Sequence, residues 1–455
     1  MNKQCVVILG AGIAGLSAGI RLAEAGVEVQ LLEARERIGG RIWTEYPPSV
    51  GAPIELGAEF VHGKVDEIWR YQQPGEIDLY EGKGSRWCEQ DRSLTNCDFF
   101  AQVNEVLKQL EKYSGPDVSF LQFLDSLKGI PPRVRERALN YVMGFHAGDP
   151  REIGVQAIQL DSKAEEQTEG NRTFRIRQGY GALLQHMELE CKRLGVRILL
   201  EHVVSKVEWG ADGVLIGARN SAGLVECVAD CALVTLPLGI LQLQPGEPGS
   251  VEFDPPLREK ERALAKLVLG DVRRVQFVFS EVFWSDTSFV GRNDLADLQF
   301  LFSDDEFFPT WWSYAPLRVP VLTAWSPALK SDRLKGMSTD EAAEIALKSL
   351  SRILHVDVAE LRRKVVSSYS HDWITDPFTR GAYSYAKAGG VDGFRELAQP
   401  LAGKLYFAGE ATEATGHHAT VHGAIASGER TAEEVLARAS QGRAFIMDRW
   451  ICRNR

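Results

Sequence analysis

Closely spaced glycines follow the first apolar run of the chain, in a pattern that suits a phosphate group. Residues 6–9 are apolar and mostly β-branched, which predicts a strand buried on both faces. Gly10, Gly12 and Gly15 come next. In such a turn the first glycine allows the bend, the second lets the backbone approach a pyrophosphate, and the third lets a helix pack on the strand. We predict a dinucleotide site that also includes Ala14 at the helix N-terminus.

An acidic residue follows the second predicted strand, which covers residues 27–32. Glu33 lies near the usual offset from Gly15 and suits hydrogen bonds from ribose hydroxyls. The alternative, a glycine-rich turn without a ligand, fits this strand–turn–helix–strand context poorly. The unit by itself does not separate NAD from FAD.

A second glycine turn comes directly afterwards and is flanked by arginines. It contains Gly39 and Gly40, and its other predicted cofactor contacts are Ala34, Arg35 and Arg41. Backbone N–H groups and a guanidinium suit a second approach to the same pyrophosphate, which a NAD-binding unit does not need. The alternative is a solvated basic loop. The pair of turns therefore favours FAD.

The elements that must position these residues are predicted from periodicity and capping signals. Helices are expected at residues 16–25, 99–113 and 182–194, and Ser338 and Glu341 form a capping box for a helix that ends near residue 354. A last helix starts near Thr420. Further strands are expected at residues 197–200, 203–208, 214–218, 231–235, 272–279 and 405–408. This order indicates two domains that the chain crosses more than once.

Length, charge and cysteine usage limit the class of protein. A chain of 455 residues exceeds one ordinary core and favours two domains. The net charge of -10 disfavours nucleic acid as a partner. We find no apolar run long enough to span a membrane and no signal peptide. The seven cysteines include no CxxC pair, which predicts free thiols in a reducing, cytoplasmic compartment and no metal site.

Sequence motifs spread along the chain carry a family resemblance. They are VILGAGIAGL (residues 7–16), LEARERIGGR (32–41), ELGAEFVHG (55–63), TLPLGIL (235–241), RGAYSY (380–385), FAGE (407–410) and TVHGA (420–424). With them the sequence resembles the flavin amine oxidase family, which includes polyamine oxidases, monoamine oxidases, L-amino acid oxidases and lysine-specific histone demethylases. It looks closest to the polyamine oxidases and to the catalytic core of the demethylases.

The resemblance implies an α/β fold in which a Rossmann-like FAD-binding domain is interleaved with an α+β substrate-binding domain. The FAD-binding domain would be discontinuous, with residues 1–75, 195–250 and 390–440. The substrate-binding domain would contain residues 76–194 and 251–389, and residues 441–455 would form a C-terminal tail. A monomer or a homodimer is expected.

The resemblance also implies cofactor contacts outside the two turns. Val204 would frame the adenine, Glu410 would hold the ribitol or phosphate region, and Trp373 would lie beside the isoalloxazine ring. Further positions expected close to the flavin are Gly57, Ala58, Glu59, Gly409, Thr420, Val421 and Ala424. Monoamine oxidases attach FAD to a cysteine where this chain has Ala382, so FAD is expected to bind non-covalently.

The expected catalytic positions are Arg274, Tyr383, Glu59, His62 and Thr420. Tyr383 matches one of two aromatic residues that flank the substrate in the family, and Thr420 occupies the other position, as in the demethylases. Glu59 could attract a distal positive charge on a polyamine, with a solvated loop acid as the alternative. His62 could act as a base or a hydrogen-bond donor, with a structural histidine as the alternative.

Arg274 marks a departure from the family pattern. The family usually places a lysine here, bridged by a water to the flavin N5, whereas this chain has Arg274 with Arg273 beside it. Arginine stays charged and forms a planar fork, while lysine can lose its proton. The change puts fast reaction with oxygen in doubt and favours a substrate that carries a carboxylate.

The expected activity is hydride transfer from a small amine or polyamine to FAD, with oxygen as acceptor. The alternatives are an L-amino-acid oxidase, another flavin dehydrogenase or desaturase on the same fold, and a non-catalytic flavoprotein. Chromatin demethylation fits poorly, because no helical-hairpin insertion is evident. Residues 80–98 and 286–320 are expected to shape the pocket, with candidate walls at Trp87, Trp311, Trp312, Tyr314 and Phe378.

Overall fold

The computed structural model describes residues 4–48, 50–90, 93–291, 293–440 and 453–454. Its strands, numbered in chain order, are β1 (Cys5–Leu9), β2 (Glu28–Leu32), β3 (Thr44–Glu45), β4 (Ile54–Glu55), β5 (Val61–His62), β6 (Leu79–Glu81), β7 (Ser85–Gln90), β8 (Ser93–Asn96), β9 (Thr173–Ile176), β10 (Arg197–Leu199), β11 (Val203–Gly210), β12 (Gly213–Asn220), β13 (Gly223–Ala229), β14 (Cys231–Val234), β15 (Glu252–Asp254), β16 (Leu267–Gly270), β17 (Val272–Phe279), β18 (Leu298–Phe302), β19 (Thr310–Ser313), β20 (Val321–Pro327), β21 (Val365–Tyr369), β22 (Tyr383–Ala386), β23 (Leu405–Phe407) and β24 (Arg453–Asn454). Its α-helices are α1 (Ile13–Glu24), α2 (Asp66–Trp69), α3 (Phe99–Glu111), α4 (Phe120–Ser126), α5 (Pro132–His146), α6 (Val155–Gln167), α7 (Tyr180–Arg193), α8 (Leu238–Leu241), α9 (Arg258–Lys266), α10 (Thr339–Leu354), α11 (Val358–Lys364), α12 (Gly393–Ala398) and α13 (Val421–Ser440).

The first glycine turn follows β1, the central strand of a parallel sheet with the order β10-β2-β1-β14-β23. Every residue of β1 is buried, as expected for a strand covered on both faces. Val6 and Ile8 pack on one face in a cluster that includes side chains of α1 and α13. Val7 and Leu9 pack on the other face against the antiparallel strands β11, β12 and β13. The predicted Rossmann-like α/β arrangement is confirmed.

Helix α7 packs beside α1 on this sheet. Its Leu183 and Met187 are fully buried in the same cluster as Leu16 of α1. This places the helix with the cofactor-binding part, although residues 76–194 were assigned to the substrate-binding domain. An apolar stripe predicts that a helix is buried but does not say which sheet it covers. The division into domains stays a prediction, and this packing favours a boundary that precedes α7.

A larger sheet, with the order β21-β17-β20-β19-β18-β7-β8, supports the second half of the molecule. Helix α10 covers it with buried alanine and leucine side chains, and the predicted capping box between Ser338 and Glu341 is present at its start. Helices α3 to α6 form a separate apolar cluster with Tyr385 of β22. The large cavity lies where these three parts meet.

The predicted elements with clear periodicity are present, with ends that differ by a few residues. Strands β18 and β19 lie within residues 286–320, where the sequence patterns predict no strand. The predicted helices also do not include α5 or α6. The short strands β18 and β19 are mostly buried and lack the alternation that reveals a half-exposed strand.

The cysteines differ from the prediction. Cys88 and Cys97 form a disulfide, so the prediction of free thiols throughout is wrong. The hairpin of β7 and β8 brings the two side chains together, and no spacing rule reveals such a pair. Cys5, Cys191 and Cys231 are free and buried.

Among the described residues, no helix has both the length and the apolar character needed to cross a membrane. Residues 441–452 and 455 of the predicted tail lie outside the described residues. Strand β24, which falls in this tail, pairs antiparallel with β13 at Val225 and Glu226.

Candidate active site

A cavity of about 1190 Å³ extends from the carboxyl ends of the parallel strands to the large sheet and helices α5 and α6. Gly15 does not line the cavity and belongs to the packing beneath it. The predicted site residues that do line it are Gly10, Gly12, Ala14, Glu33, Ala34, Arg35, Gly39, Gly40, Arg41, Gly57, Ala58, Glu59, His62, Val204, Arg274, Trp373, Tyr383, Gly409, Glu410, Thr420, Val421 and Ala424.

Gly15 sits where α1 comes closest to the end of β1. A Cβ at this position would lie 2.2 Å from the carbonyl oxygen of Gly10, a distance that no side chain tolerates. Only glycine allows the helix to start directly on the strand end. The third glycine of the motif therefore acts through helix–strand packing, as its spacing predicted.

The first turn of α1 is open to the cavity. Its N-cap residue is Gly12, which has no side chain to accept a hydrogen bond from the helix N-terminus. Apart from its two chain neighbours, no described residue has a heavy atom within 4 Å of the position that a Cβ of Gly12 would take, and Ile13 and Ala14 line the cavity. Gly39 N–H donates to the carbonyl of Ala11 at 2.8 Å and holds the second turn against the first. This uncapped helix end fits a pyrophosphate.

Glu33 is held at the cavity wall by backbone groups. Its Oε2 accepts from Ala11 N–H at 2.9 Å and its Oε1 from Arg35 N–H at 3.0 Å. A carboxylate has more than two lone pairs, so these bonds leave room for a ribose hydroxyl. The Arg35 guanidinium donates to Asp376 and, at 2.8 Å, to Thr379 Oγ1.

Arg41 and Glu410 form an ion pair in which the Glu410 side chain is buried and the Arg41 side chain is partly exposed. Arg41 Nη1 lies 2.7 Å from Glu410 Oε1 and donates to the carbonyl of Ala382 at 2.8 Å. Glu410 Oε2 accepts from Ser384 and, at 3.0 Å, from Ala419 N–H. Burial opposes ionisation here, yet Arg41 and Ser384 hold the pKa of Glu410 below its usual range. The pair ties the late β/α unit to the second glycine turn.

Glu59 is the centre of a buried network. It is 5 % exposed, with Arg175 Nε at 2.9 Å from its Oε1 and Arg274 Nη1 at 3.1 Å from its Oε2. The Trp312 indole N–H donates to both oxygens at 3.0 and 3.2 Å. Two guanidinium groups more than offset the carboxylate charge. Glu59 is therefore neither a solvated loop acid nor a free anion for the distal charge of a polyamine, so the predicted role is disfavoured.

Arg274 fastens the loop after β4 to β17. Besides Glu59, its guanidinium donates to the backbone carbonyls of Glu55 and Gly57. Gly57 is needed here, since a Cβ would lie 1.7 Å from the Arg41 carbonyl oxygen. Three contacts fix the Arg274 side chain in one orientation at the cavity wall.

His62 lies in an aromatic part of the cavity and contacts the edge of Phe145 with ring centroids 5.5 Å apart. Burial lowers the pKa of His62 to about 4, so the ring is neutral at pH 7. Nearby, His422 Nε2 and His417 Nδ1 are 3.1 Å apart. With so low a pKa, His62 is a weak base, but its neutral ring keeps one N–H that can donate a hydrogen bond.

Thr420 is the N-terminal cap of α13. Its hydroxyl accepts from Gly423 N–H at 2.9 Å and donates to the carbonyl of His417 at 2.6 Å. Both contacts are local, and they orient the helix start toward the cavity. The hydroxyl thus has a structural task, which the motif alone did not reveal.

Aromatic side chains form much of the remaining wall. Tyr383 Oη donates to the carbonyl of Phe145 at 3.1 Å, and Trp373 Nε1 donates to that of Leu56 at 2.8 Å. Sequence reasoning missed several aromatic residues here. Phe60 lies inside the motif of residues 55–63, and no motif marks Phe145, Phe300 and Trp325.

Some candidate walls were correct and others were not. Trp312 and Phe378 line the cavity, whereas Trp311 and Tyr314 are buried in hydrophobic clusters and do not line it. Trp87 packs against the same cluster as Trp311. The side of a strand that a residue faces decides these outcomes, and adjacent residues such as Trp311 and Trp312 face opposite sides.

The sequence model described as flavin containing amine oxidoreductase matches residues 13–74 and 93–436. The chain belongs to this family. The matched residues include Gly15, the second glycine turn, the Arg274 strand and the late Gly-Glu segment, whereas Gly10 and Gly12 precede the match. Family members use a flavin to oxidise amines, and the cavity of this chain combines a cradle for FAD with an aromatic compartment.

Curated relatives agree with this membership, and solved structures agree with the fold. Polyamine oxidase 2 of Arabidopsis thaliana is 27 % identical over 468 residues, which cover 96 % of this chain and 89 % of the relative. Lysine-specific histone demethylase 2 of Homo sapiens is 26 % identical over 480 residues, covering 96 % of this chain and 54 % of the relative. A wild-type putrescine oxidase structure bound to putrescine superposes with a TM-score of 0.78 at 22 % identity, covering 96 % and 99 % of the two chains.

Proposed function

We propose that this protein binds FAD non-covalently and oxidises a primary or secondary amine, with polyamines as the favoured substrate class. The observation that carries the proposal is one continuous cavity, with an uncapped helix end and glycine turns in one part and aromatic side chains in the other. The polyamine class is supported by the names of the curated relatives. Ala382 stands where a covalent attachment would need a cysteine.

The chain's own residues prepare the amine for oxidation. When bound, FAD supplies the acceptor for a hydride from the carbon next to the amine. The reacting nitrogen must be neutral, because an ammonium has no lone pair to stabilise the developing charge. Tyr383, Phe145 and Phe60 line the aromatic part of the cavity, where the reacting amine would be removed from water. Removal from water lowers the pKa of an amine. The neutral ring of His62 adds no opposing charge.

We propose oxygen as the electron acceptor, with a slow reaction. Arg274 occupies the position where the resemblance expects a lysine. Its guanidinium is held by Glu59 and two backbone carbonyls, so it is not free to bind water as a mobile ammonium would.

An amino-acid oxidase is the second candidate, and the contacts disfavour it. Arg274 is paired with Glu59, and Arg273 lies 3.2 Å from Asp372 and donates to the carbonyl of Met337. Arg273 does not line the cavity, and the Arg274 guanidinium is already bound, so neither arginine offers a free fork to a substrate carboxylate.

Several expectations remain part of the proposal. These are the division into two discontinuous domains, with α7 moved to the cofactor-binding part, and a monomer or homodimer. A cytoplasmic location is also proposed, although the Cys88–Cys97 disulfide removes the argument from free thiols on which it partly rested.

Anaerobic mixing of the yellow holoprotein with a panel of polyamines, monoamines and amino acids tests the proposal. We expect polyamines to bleach the flavin absorbance and amino acids to leave it unchanged. Bleaching by amino acids alone would favour the second candidate. A yellow protein that no amine bleaches would support the non-catalytic alternative and refute the proposed activity.

A further inference from the structure

Two carboxylates at the cavity wall stand apart from the others because neither has an arginine or lysine partner. Asp161 and Glu165 are one turn apart on α6, and both line the cavity. Within the described part of the chain, no arginine or lysine nitrogen lies within 4.0 Å of either carboxylate, the distance limit for an ion pair. By contrast, Glu59 and Glu410 are each paired with arginine.

Histidines are the nearest charged or chargeable partners of Asp161. Its Oδ2 lies 3.2 Å from His146 Nδ1 and its Oδ1 lies 3.3 Å from His418 Nδ1. A histidine carries charge only when protonated, so neither ring is a permanent counterion. For Glu165, burial and the nearby Asp161 raise the pKa to about 7, as expected for a carboxyl group without a cationic partner.

Unsatisfied polar atoms provide a second, independent sign that a ligand belongs here. His146 is 8 % exposed and His418 is 5 % exposed, and both line the cavity. Among the described residues, His146 Nε2 is a buried atom without a hydrogen-bond partner, and His418 Nδ1 and Asp161 Oδ1 lie 3.3 Å apart but are not aligned as a hydrogen bond. Native structures rarely leave such atoms unpaired, which points to a polar group that enters from the cavity.

A chain of contacts links these carboxylates to the aromatic compartment. Tyr383 Oη donates to the carbonyl of Phe145, and the next residue, His146, faces Asp161. Tyr141, one helical turn earlier on α5, stacks on Phe145 with ring centroids 5.5 Å apart. Along the cavity wall, the acidic pair is therefore connected to the predicted reaction position near Tyr383 through Phe145 and His146.

We infer that Asp161 and Glu165 form a subsite for a second, protonated amino group of the substrate, while the amine to be oxidised lies near Tyr383. The inference rests on the proposed amine oxidation and moves the distal-charge role from Glu59 to helix α6. A protonated amine supplies the positive charge that the pair lacks and donates hydrogen bonds to both carboxylates. The preferred substrates are accordingly diamines and polyamines rather than monoamines.

The test compares linear α,ω-diamines with the n-alkylamines of equal chain length. Anaerobic flavin reduction by the holoenzyme gives the dissociation constant and the limiting reduction rate for each amine. For Glu165→Gln and Asp161→Asn we expect the diamine dissociation constants to rise about tenfold or more. The limiting rates and the n-alkylamine constants should stay within about twofold of wild type, since the reacting end is untouched.

The exposed residue Glu105 provides the matched control, because it lies on the adjacent helix α3 outside the cavity and Glu105→Gln removes the same charge. Flavin absorbance and thermal melting establish that each variant is folded. Asp161→Asn changes two histidine contacts at once, so Glu165→Gln is the decisive variant. Equal weakening of diamines and n-alkylamines, or an effect of Glu105→Gln as large as that of Glu165→Gln, would overturn the subsite.

Failure of the activity itself is a separate result. If no amine reduces the flavin, the proposed function is wrong, and calorimetric binding of a diamine to the holoprotein then judges the subsite alone. Diamine binding that Glu165→Gln abolishes supports the subsite. Binding that is absent, or unchanged by Glu165→Gln, overturns it.

Discussion

At the scale of single residues, the pairing of a charge matters more than its presence. Glu59 lies in a family motif and lines the cavity, but Arg175 and Arg274 offset its charge. Asp161 and Glu165 belong to no motif, and in the described part of the chain no arginine or lysine lies within 4.0 Å to offset a charge on them. A buried carboxylate without a fixed cation is costly, so such a group signals a cationic ligand.

Replacement of Arg274 by lysine tests its predicted effect on oxygen chemistry. Lysine is shorter and cannot keep the bonds to both the Glu55 and Gly57 carbonyls, and it can lose its proton. We expect Arg274→Lys to raise the rate constant for reoxidation of the reduced enzyme by oxygen about tenfold or more, or about 1.4 kcal/mol in barrier. Stopped-flow mixing of the reduced enzyme with oxygenated buffer measures it.

Arg273→Lys is the control for that change, because Arg273 pairs with Asp372 instead of Glu59. It should leave the reoxidation rate within about twofold of wild type. If reoxidation of Arg274→Lys is as slow as that of wild type, the arginine is not what limits the reaction with oxygen.

A buried acid next to this network predicts a pH effect on stability. Burial raises the pKa of Glu55 to about 8, well above the value of about 4.3 expected in the unfolded chain. Between these two values the folded state keeps a proton that the unfolded state releases. Stability from this group is therefore present at low pH and falls as pH rises toward 8, by at most about 1.4 kcal/mol per pH unit.

Glu55→Gln should remove that slope. The glutamine oxygen can accept from Tyr180 N–H, and its amide can donate to Thr44, as the protonated acid would. Urea unfolding at pH 5 and pH 8 measures the effect. Equal losses of stability in wild type and variant between these pH values would show that other groups cause the slope.

At the scale of elements, the start of α1 determines whether a cofactor can bind. The helix end is open only because Gly15 lets α1 approach Gly10 closely, with no room for a Cβ. The position of one helix on one strand thus sets the geometry of the phosphate cradle.

Gly15→Ala should push α1 away from β1. We expect a loss of about 1–3 kcal/mol in unfolding free energy, as in overpacked cores, together with much weaker FAD uptake. Gly19→Ala on the same helix is the control, because its Cβ would meet the flexible Leu31 side chain at 3.2 Å. The ratio of flavin to protein absorbance after purification measures uptake, and full uptake by Gly15→Ala would contradict this account.

At the scale of the whole molecule, the chain passes between the two halves repeatedly, so each wall of the cavity combines distant segments. The Glu59 network joins a loop after β4 with β9, β17 and β19. The acidic subsite joins α5, α6 and the segment before α13. The disulfide between Cys88 and Cys97 adds a further tie near the cavity, where Cys88 lines the wall.

Local patterns were enough to identify the cofactor half. Gly10, Gly12 and Gly15 specify a turn whose steric needs follow from spacing alone, and the capping box at Ser338 specifies a helix start. These features depend on residues that are close in sequence, so a single sequence reveals them. The family motifs extended this to most of the residues that line the FAD side of the cavity.

Only the tertiary structure decided which charges are neutralised and which side chains face the cavity. The pairing of Glu59 with Arg175 and Arg274, the unpaired Asp161 and the disulfide all depend on contacts between residues far apart along the chain or on the side a strand presents. Such contacts are set by packing of whole elements, which neither spacing nor composition encodes locally. The sequence by itself therefore determined the flavin chemistry, while the fold determined where a second charge on the substrate can be bound.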